Sequence, residues 1–479
     1  MSGLRHERAA QGRCVFGIAR ADITPPVGMY HRMWGASKHE RSTGVHRPLY
    51  ATVAAFGPIG GVAIEQLLVA LDHCVMGALE LAGLVEAISK GCGVGAEQIS
   101  VVFSHTHGAG LMGLDRSGLP GGEMIAPYLA QLGATCGRLA KQALEGAKPS
   151  WIVQGRGRCE LARYRDQFDA TGGIPVVGYV PEAAADDTVL VARFSDERGR
   201  SLGTMVNYAC HPTTLAWDNT LISPDFVGAM REVVEASEEG ICLFLQGASG
   251  ELGPREGFVG DVEIADRNGR MLGYAALSVL AGMDDGGTEY VYEGPVVSGA
   301  TIGVWKHRAL GRESFGEVAR WRRQRWHERL RYREGLGTVS GVEAERDALM
   351  VEEARARAGG QSEEAADLRA LAERKTRLLY RLMQMPEGEY YPLDVVLMEM
   401  GDLVWVIVQG ESYSLLQREL RGRFPGRSIV VASVGGDWGA SYLPSCEVYG
   451  SGIYQETIAV VEAVSLEHLI DAITDRLKS

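Results

Sequence analysis

The feature that most constrains this chain is a pattern of hydropathy that occurs at five places: a short apolar run with β-branched residues stops abruptly at a small or polar turn. The runs are ISVVF before SHTHGAG (99–110), TMVNYAC before HPTT (204–214), ICLFLQ before GASGE (241–251), VWVIVQ before GE (404–411) and SIVVAS before VGGDWGASY (428–442). Branched side chains fit a pleated, buried surface, and small or polar residues end it, so each run predicts a buried strand feeding a loop. Helical patterns lie between them, at 125–147 and 267–283. The interleaving predicts an α/β fold of layered sheets covered by helices. In such folds loops converge outside the carboxyl ends of rigid strands, and ligands gather there. Because every polar turn follows the carboxyl end of its run, the five turns predict one shared pocket.

A length of 479 residues exceeds what one small core serves, so one large catalytic body with an insertion is expected. The segment 303–385 is dense in Arg, Glu, Ala and Leu and predicts a helical insertion into a domain made of 1–302 and 386–479. It reads as a solvated supporting element, a lid over the pocket, or an oligomerisation arm that would make a homo-oligomer, with Trp321, Trp326 and Tyr332 as apolar anchors. The net charge of −13, with no long basic tract, argues against nucleic acid or an anionic membrane as partner and leaves a small molecule. The N-terminus has no uninterrupted apolar stretch, and no window reaches the roughly 18 apolar residues of a spanning helix, so a cytoplasmic, unanchored protein is expected. Eight scattered cysteines, with no pair at two-residue spacing, read as reduced thiols, Cys210 among them as a small core residue.

The polar turns carry chemistry. A catalytic zinc site takes imidazole and carboxylate donors and keeps one position for water, whose pKa falls when bound. In extended backbone His105 and His107 point to one side, where one ring can ligate and the other can touch substrate; the alternative is a pair of hydrogen-bonded loop histidines. His211 stands before Pro212, which stiffens its turn. Glu411 follows an apolar strand, where a carboxylate needs a cation or hydrogen-bond donors to offset desolvation. Tyr442, in GGDWGASY, has no signal in its spacing beyond that of an amphipathic packing residue.

At these residues the chain resembles the neutral/alkaline non-lysosomal ceramidases, zinc amidases that cleave N-acyl sphingoid bases. The resemblance runs in order through GIARADITPPVG, TGVHRPLYA, SHTHGAG, NYACHPTTL, LISPDFVGAM, QGE and GASYLPSCEVYGSGIYQE. It implies that His105, His211, Glu411 and Tyr442 ligate Zn2+, that His107 contacts the scissile carbonyl or the attacking water, and that Tyr454 donates a hydrogen bond to the developing oxyanion. The family's site arginine corresponds to Arg163, with Arg165 a close rival as a substrate contact. Two departures stand out. The position of the family's serine is Gly247, a substrate contact at most, so attack by zinc-bound hydroxide is expected in place of a serine nucleophile, with Ser249 a substitute only if the loop were rebuilt. The family's secretion signal and C-terminal immunoglobulin-like domain are expected to be missing. Together these imply a zinc-dependent hydrolase, an amidase cleaving a carboxamide of a small soluble substrate. A lactonase or esterase with the same site, a zinc-dependent isomerase or lyase, and a non-catalytic binding protein are the alternatives.

Overall fold

The structure is a computed structural model that describes residues 6–61 and 64–479. Twelve strands form one mixed sheet: β1 (Ala10–Asp22), β2 (Tyr50–Gly57), β3 (Gln66–Leu71), β4 (Ile99–Phe103), β5 (Lys148–Arg158), β6 (Thr188–Asp196), β7 (Ser201–Tyr208), β8 (Ile241–Gln246), β9 (Trp321–Arg331), β10 (Tyr390–Met400), β11 (Leu403–Gln409) and β12 (Ser428–Gly435). Their spatial order is β8-β7-β6-β5-β1-β2-β3-β4-β12-β11-β10-β9. Strand pairs β3–β4, β7–β8 and β11–β12 are parallel. Between β4 and β12 lies a seam: the strands are antiparallel and share only Val102 and Gly435, so their carboxyl ends meet head-on.

The sheet packs back on itself around one inner core, for a reason visible in the period-two alternation of its strands. Leu68 and Ala70 of β3, Leu243 and Leu245 of β8, and Leu403, Trp405 and Ile407 of β11 all face one inner core. Phe16, Phe56, Phe194 and Trp405 pack together at its centre, and the amide of Asn207 donates across it to the carbonyl of Val431. The alternate residues face outward and are covered by helices. Leu67, Val69 and Leu71 lie under α1 (Ala78–Cys92) and α2 (Ile125–Glu145). Cys242 and Phe244 lie under α3 (Phe226–Glu235) and α4 (Val262–Ala281). The fold is thus α/β with two sheet layers between helical layers, as expected. Among the described residues no helix is long and apolar enough to cross a membrane.

The segment 303–385 departs from its expected all-helical form. Ala300–Ala309 is the second strand of a hairpin with Thr288–Ser298, and Trp321–Arg331 is the edge strand β9. Apart from the short helix Arg312–Val318, helix begins at α5 (Val339–Ala358), which a short turn joins to α6 (Ser362–Leu382). The Arg-rich stretch reads as helix because its charges could pair along one helix, but its partners lie across the sheet: Arg325 pairs with Asp394 and Arg322 with Glu399, both on β10. Those ladder contacts override local propensity. Val404, Val406 and Val408 of β11 are covered by α7 (Leu415–Arg423) and α8 (Ser465–Lys478).

Candidate functional site

The loops after β4, β7, β11 and β12 bring His105, His211, Glu411 and Tyr442 together. His105 comes two residues after β4 in a left-handed conformation, φ 67°, uncommon for a residue with a Cβ. Its amide donates to the His73 carbonyl and its Nδ1 to the Cys74 carbonyl at 2.9 Å. His211 Nδ1 donates to the Ser249 carbonyl at 2.8 Å. A carbonyl only accepts, so both rings carry their proton on Nδ1 and turn Nε2 toward the same point. Glu411 is fixed there by a short parallel pairing with Tyr442, which Gly410 permits: its φ is 84°, and a Cβ would meet the Ser441 carbonyl at 2.7 Å.

The distances decide what this point can hold. His105 Nε2 lies 3.1 Å from His211 Nε2, and Glu411 Oε2 lies 3.3 and 3.1 Å from the two nitrogens. Tyr442 Oη is 3.3 Å from His211 Nε2. Two lone-pair nitrogens facing each other beside a carboxylate repel unless a positive charge stands among them. Tetrahedral ligands at ~2.0–2.1 Å from a zinc ion stand about 3.3 Å apart, so the donor set fits such a cation in chemistry and in spacing. His107 adds to the fit: its ring centroid is 5.0 Å from that of His105, and its buried Nε2 has no hydrogen-bond partner.

With protons alone, the charges fall out as the same demand. Burial opposes a charge on His105, but Cys74 and Glu411 beside it hold its pKa well above the usual imidazole value. Burial and the charge of Arg165 push His211 down to about 3. Burial, His105 and His211 push His107 well below its ordinary value. Burial would raise Glu411, yet His105 and His211 hold it well below the usual carboxylate range. One proton on His105 then compensates one buried carboxylate, which is the role a metal ion would take over.

His105, His107, Glu411 and Tyr442 line the floor of a cavity of about 400 Å3. Trp34, Trp217 and Phe258 make an aromatic wall, with Trp34 edge-on to the other two rings. Ala370, Glu373, Arg374, Arg377 and Arg381, one face of α6, make a second wall. Strained backbone collects around it: besides His105, Phe258 and Ser441 line the cavity at φ 59° and 53°, and Val434 at φ 58° donates its amide to the Gly410 carbonyl.

Of the two arginines weighed from sequence, Arg165 is the one in the cavity. It stands past the end of the strand Ala162–Tyr164, with Nη2 2.7 Å from the Gly250 carbonyl and 3.2 Å from both Tyr442 Oη and His211 Nε2. Arg163 instead pairs with Glu160, away from the cavity. Gly247 is also absent from the lining: it is buried behind the site, where a Cβ would lie 2.9 Å from that of Ala209. Ser249 does not turn in to replace a serine there; its Oγ accepts from Gln246. Tyr454 lies at the cavity mouth, 42% exposed, its ring 5.9 Å from that of Tyr442. Cys210 is buried in the core around α3 and α4.

Sequence reasoning passed over Cys74, whose Sγ lies 3.6 Å from His105 Nδ1, and Glu251. Glu251 was in view as the end of GASGE. It accepts hydrogen bonds from the amide and hydroxyl of Ser414, three residues after Glu411, and so pins that loop. Burial raises its pKa to about 7, with Ser414 opposing.

No protein-family model matches the chain, and none of the curated proteins matches it either. Among solved structures it is similar to the neutral ceramidase from Pseudomonas aeruginosa, at 16% identity and a TM-score of 0.62 over 98% of this chain and 74% of that one. A ceramidase complexed with C2 matches at 16% identity and a TM-score of 0.64 over 97% of this chain and 76% of that one. The resemblance read from the ordered motifs is therefore matched in three dimensions: the chain has the fold of the neutral ceramidases.

Proposed function

We propose that the chain is a zinc-dependent amidase that cleaves a carboxamide of a small substrate. The observation that carries this reading is the convergence of His105 Nε2, His211 Nε2 and Glu411 Oε2 to 3.1–3.3 Å at the floor of a cavity. These three residues hold the ion and Tyr442 completes the set. Zinc in that position polarises a carbonyl and acidifies water.

The rest of the chemistry belongs to the chain's own groups. His107, with Nε2 unpartnered in the cavity, positions the attacking water or the scissile carbonyl. Arg165 takes the role that sequence offered first to Arg163: with Tyr454 it supplies N–H and O–H donors to the oxygen on which negative charge develops. Gly247 leaves no side chain to act as nucleophile, which favours direct attack by water. The aromatic wall excludes bulk solvent, and so strengthens each of these electrostatic contacts.

The ceramidases among the fold neighbours support amide hydrolysis. The cavity volume of about 400 Å3 suits a small molecule. Because α6 spends one face on the cavity, we read the helical part of 303–385 as a lid in preference to an oligomerisation arm. Eight free cysteines, six of them fully buried, suit a reducing compartment, and we place the protein in the cytoplasm.

Metal analysis of the purified protein, followed by hydrolysis assays on matched amide and lactone panels, tests the proposal. About one equivalent of zinc and preferential amide turnover are expected. Turnover of lactones alone would reassign the bond cleaved, and no turnover of either by zinc-loaded protein would overturn a hydrolase altogether.

A further inference from the structure

Arg381, near the end of α6, is a buried charge without a partner. It is 5% exposed, its Nε is buried with no hydrogen-bond acceptor, and among the described residues no carboxylate or carbonyl receives its guanidinium. Its guanidinium carbon lies over the Trp438 ring, 5.9 Å from the centroid. Its neighbours differ. Arg116 and Arg377 both pair with Glu373, Arg377 also donates to the Met33 carbonyl, and Arg374 donates to the Thr457 hydroxyl. An arginine left bare in the interior is costly and persists where something else completes it.

Arg381 lines the main cavity and also a neighbouring one of about 290 Å3. It is near enough to the floor that Tyr454 and Glu411 act on its charge, partly offsetting the effect of burial. The surroundings have the same sign: Arg165, Arg374, Arg377 and Arg381 line the cavity against Glu373 and Glu411, in a chain whose net charge is −13. A basic pocket in an acidic protein concentrates anions.

We propose that Arg381 anchors a carboxylate of the substrate, so that the molecule cleaved is a carboxamide that also bears a free acid and an apolar group. A planar guanidinium with open N–H groups matches a carboxylate in a bidentate fork. A phosphate dianion would call on more donors, and Arg377 already spends its Nε on Glu373 and its Nη2 on the Met33 carbonyl. The apolar group lies against Trp34, Trp217 and Phe258. The chemistry rests on the amidase reading given above; the anchoring does not.

The test compares phenylacetate with phenylacetamide, isosteres that differ in charge, by calorimetry on chelator-treated protein, where neither can bind to zinc. Phenylacetate is expected to bind more tightly by on the order of tenfold, a preference that Arg381→Gln abolishes and Arg381→Lys keeps in part. Equal affinities in the native protein, or a preference that survives in Arg381→Gln, would overturn the anchor. Thermal stability gives a second readout: removing an uncompensated charge should leave Arg381→Gln and Arg381→Met at least as stable as the native chain, whereas a clear loss in both would mark Arg381 as structural and overturn the proposal. Turnover of N-acetylphenylalanine against its carboxamide by zinc-loaded protein then separates the two readings. Turnover of both at equal rates overturns the anchor and leaves the amidase; the binding preference without turnover of either supports the anchor and overturns the amidase.

Discussion

The floor and the α6 wall of the cavity are built by different means. On the floor each side chain is set by main-chain atoms: His105 by the Cys74 carbonyl, His211 by the Ser249 carbonyl, Glu411 by its pairing beside Tyr442. On the wall, side chains hold side chains. Glu373 joins Arg116 and Arg377, Tyr380 donates to Glu80, and Arg374 reaches Thr457. Main-chain positions move only if the sheet moves, whereas a side-chain network can be rewired one residue at a time. On the proposed reading, the contrast puts the metal-assisted chemistry on the sheet and the choice of substrate on the helix.

The hardest test of this division is His211→Ala, or His105→Ala. Either is expected to lower bound zinc well below one equivalent and reduce turnover to background while the fold persists, as read by elemental analysis and circular dichroism. Full zinc retention in both would break the assignment of the floor. Next comes Tyr454→Phe, expected to lower kcat by about 10²-fold with little change in KM, because the donor acts only where charge develops; a change confined to KM would move Tyr454 from the floor's chemistry to the wall's binding.

The wall is tested by Glu373→Gln. Glu373 is partly buried, and although burial would raise its pKa, Arg377 and Arg116 hold it below the ordinary value. Uncharging it leaves Arg116, 3% exposed, with only Asp115 to pair with. Stability should fall by about 3 kcal/mol in chemical denaturation and KM should rise more than kcat falls, with zinc content unchanged. Loss of zinc in this variant would show that wall and floor are one unit.

The smallest effect is a pH slope. Glu251 has its folded pKa raised to about 7 from 4.5 by burial, so the folded state binds the proton more tightly than the unfolded chain. Its contribution to stability is therefore fully present below about 4.5 and is lost as pH rises through about 7. Glu251→Gln should flatten that part of the profile of melting temperature against pH, and an unchanged slope would remove Glu251 from the supports of the Glu411 loop.

The same contrast explains what was legible in the sequence. His105, His211 and Glu411 stand directly after apolar strands, so local hydropathy and turn chemistry announce them. Tyr442 is placed by pairing with Glu411, thirty-one residues earlier, and only the ordered resemblance pointed to it. Arg163 and Arg165 could not be separated, because which of them enters the cavity depends on where a three-residue strand ends. Strand β9 read as helix since its ion-pair partners lie on β10, about seventy residues away. The wall was least visible: Arg381 differs from the other arginines of α6 in what it lacks, and a missing partner is a property of three dimensions.

The seam between β4 and β12 gives the floor a mechanical meaning. His105 and His211 ride on one half of the folded sheet and Glu411 and Tyr442 on the other, while the backbone pairing across the junction is the single match of Val102 with Gly435. A cation gripped from both sides is a cross-brace over the thinnest stitch in the frame. Amide hydrogen exchange at this junction should therefore slow when the brace is in place, making the fastening of the two halves a readout of occupancy that needs no substrate.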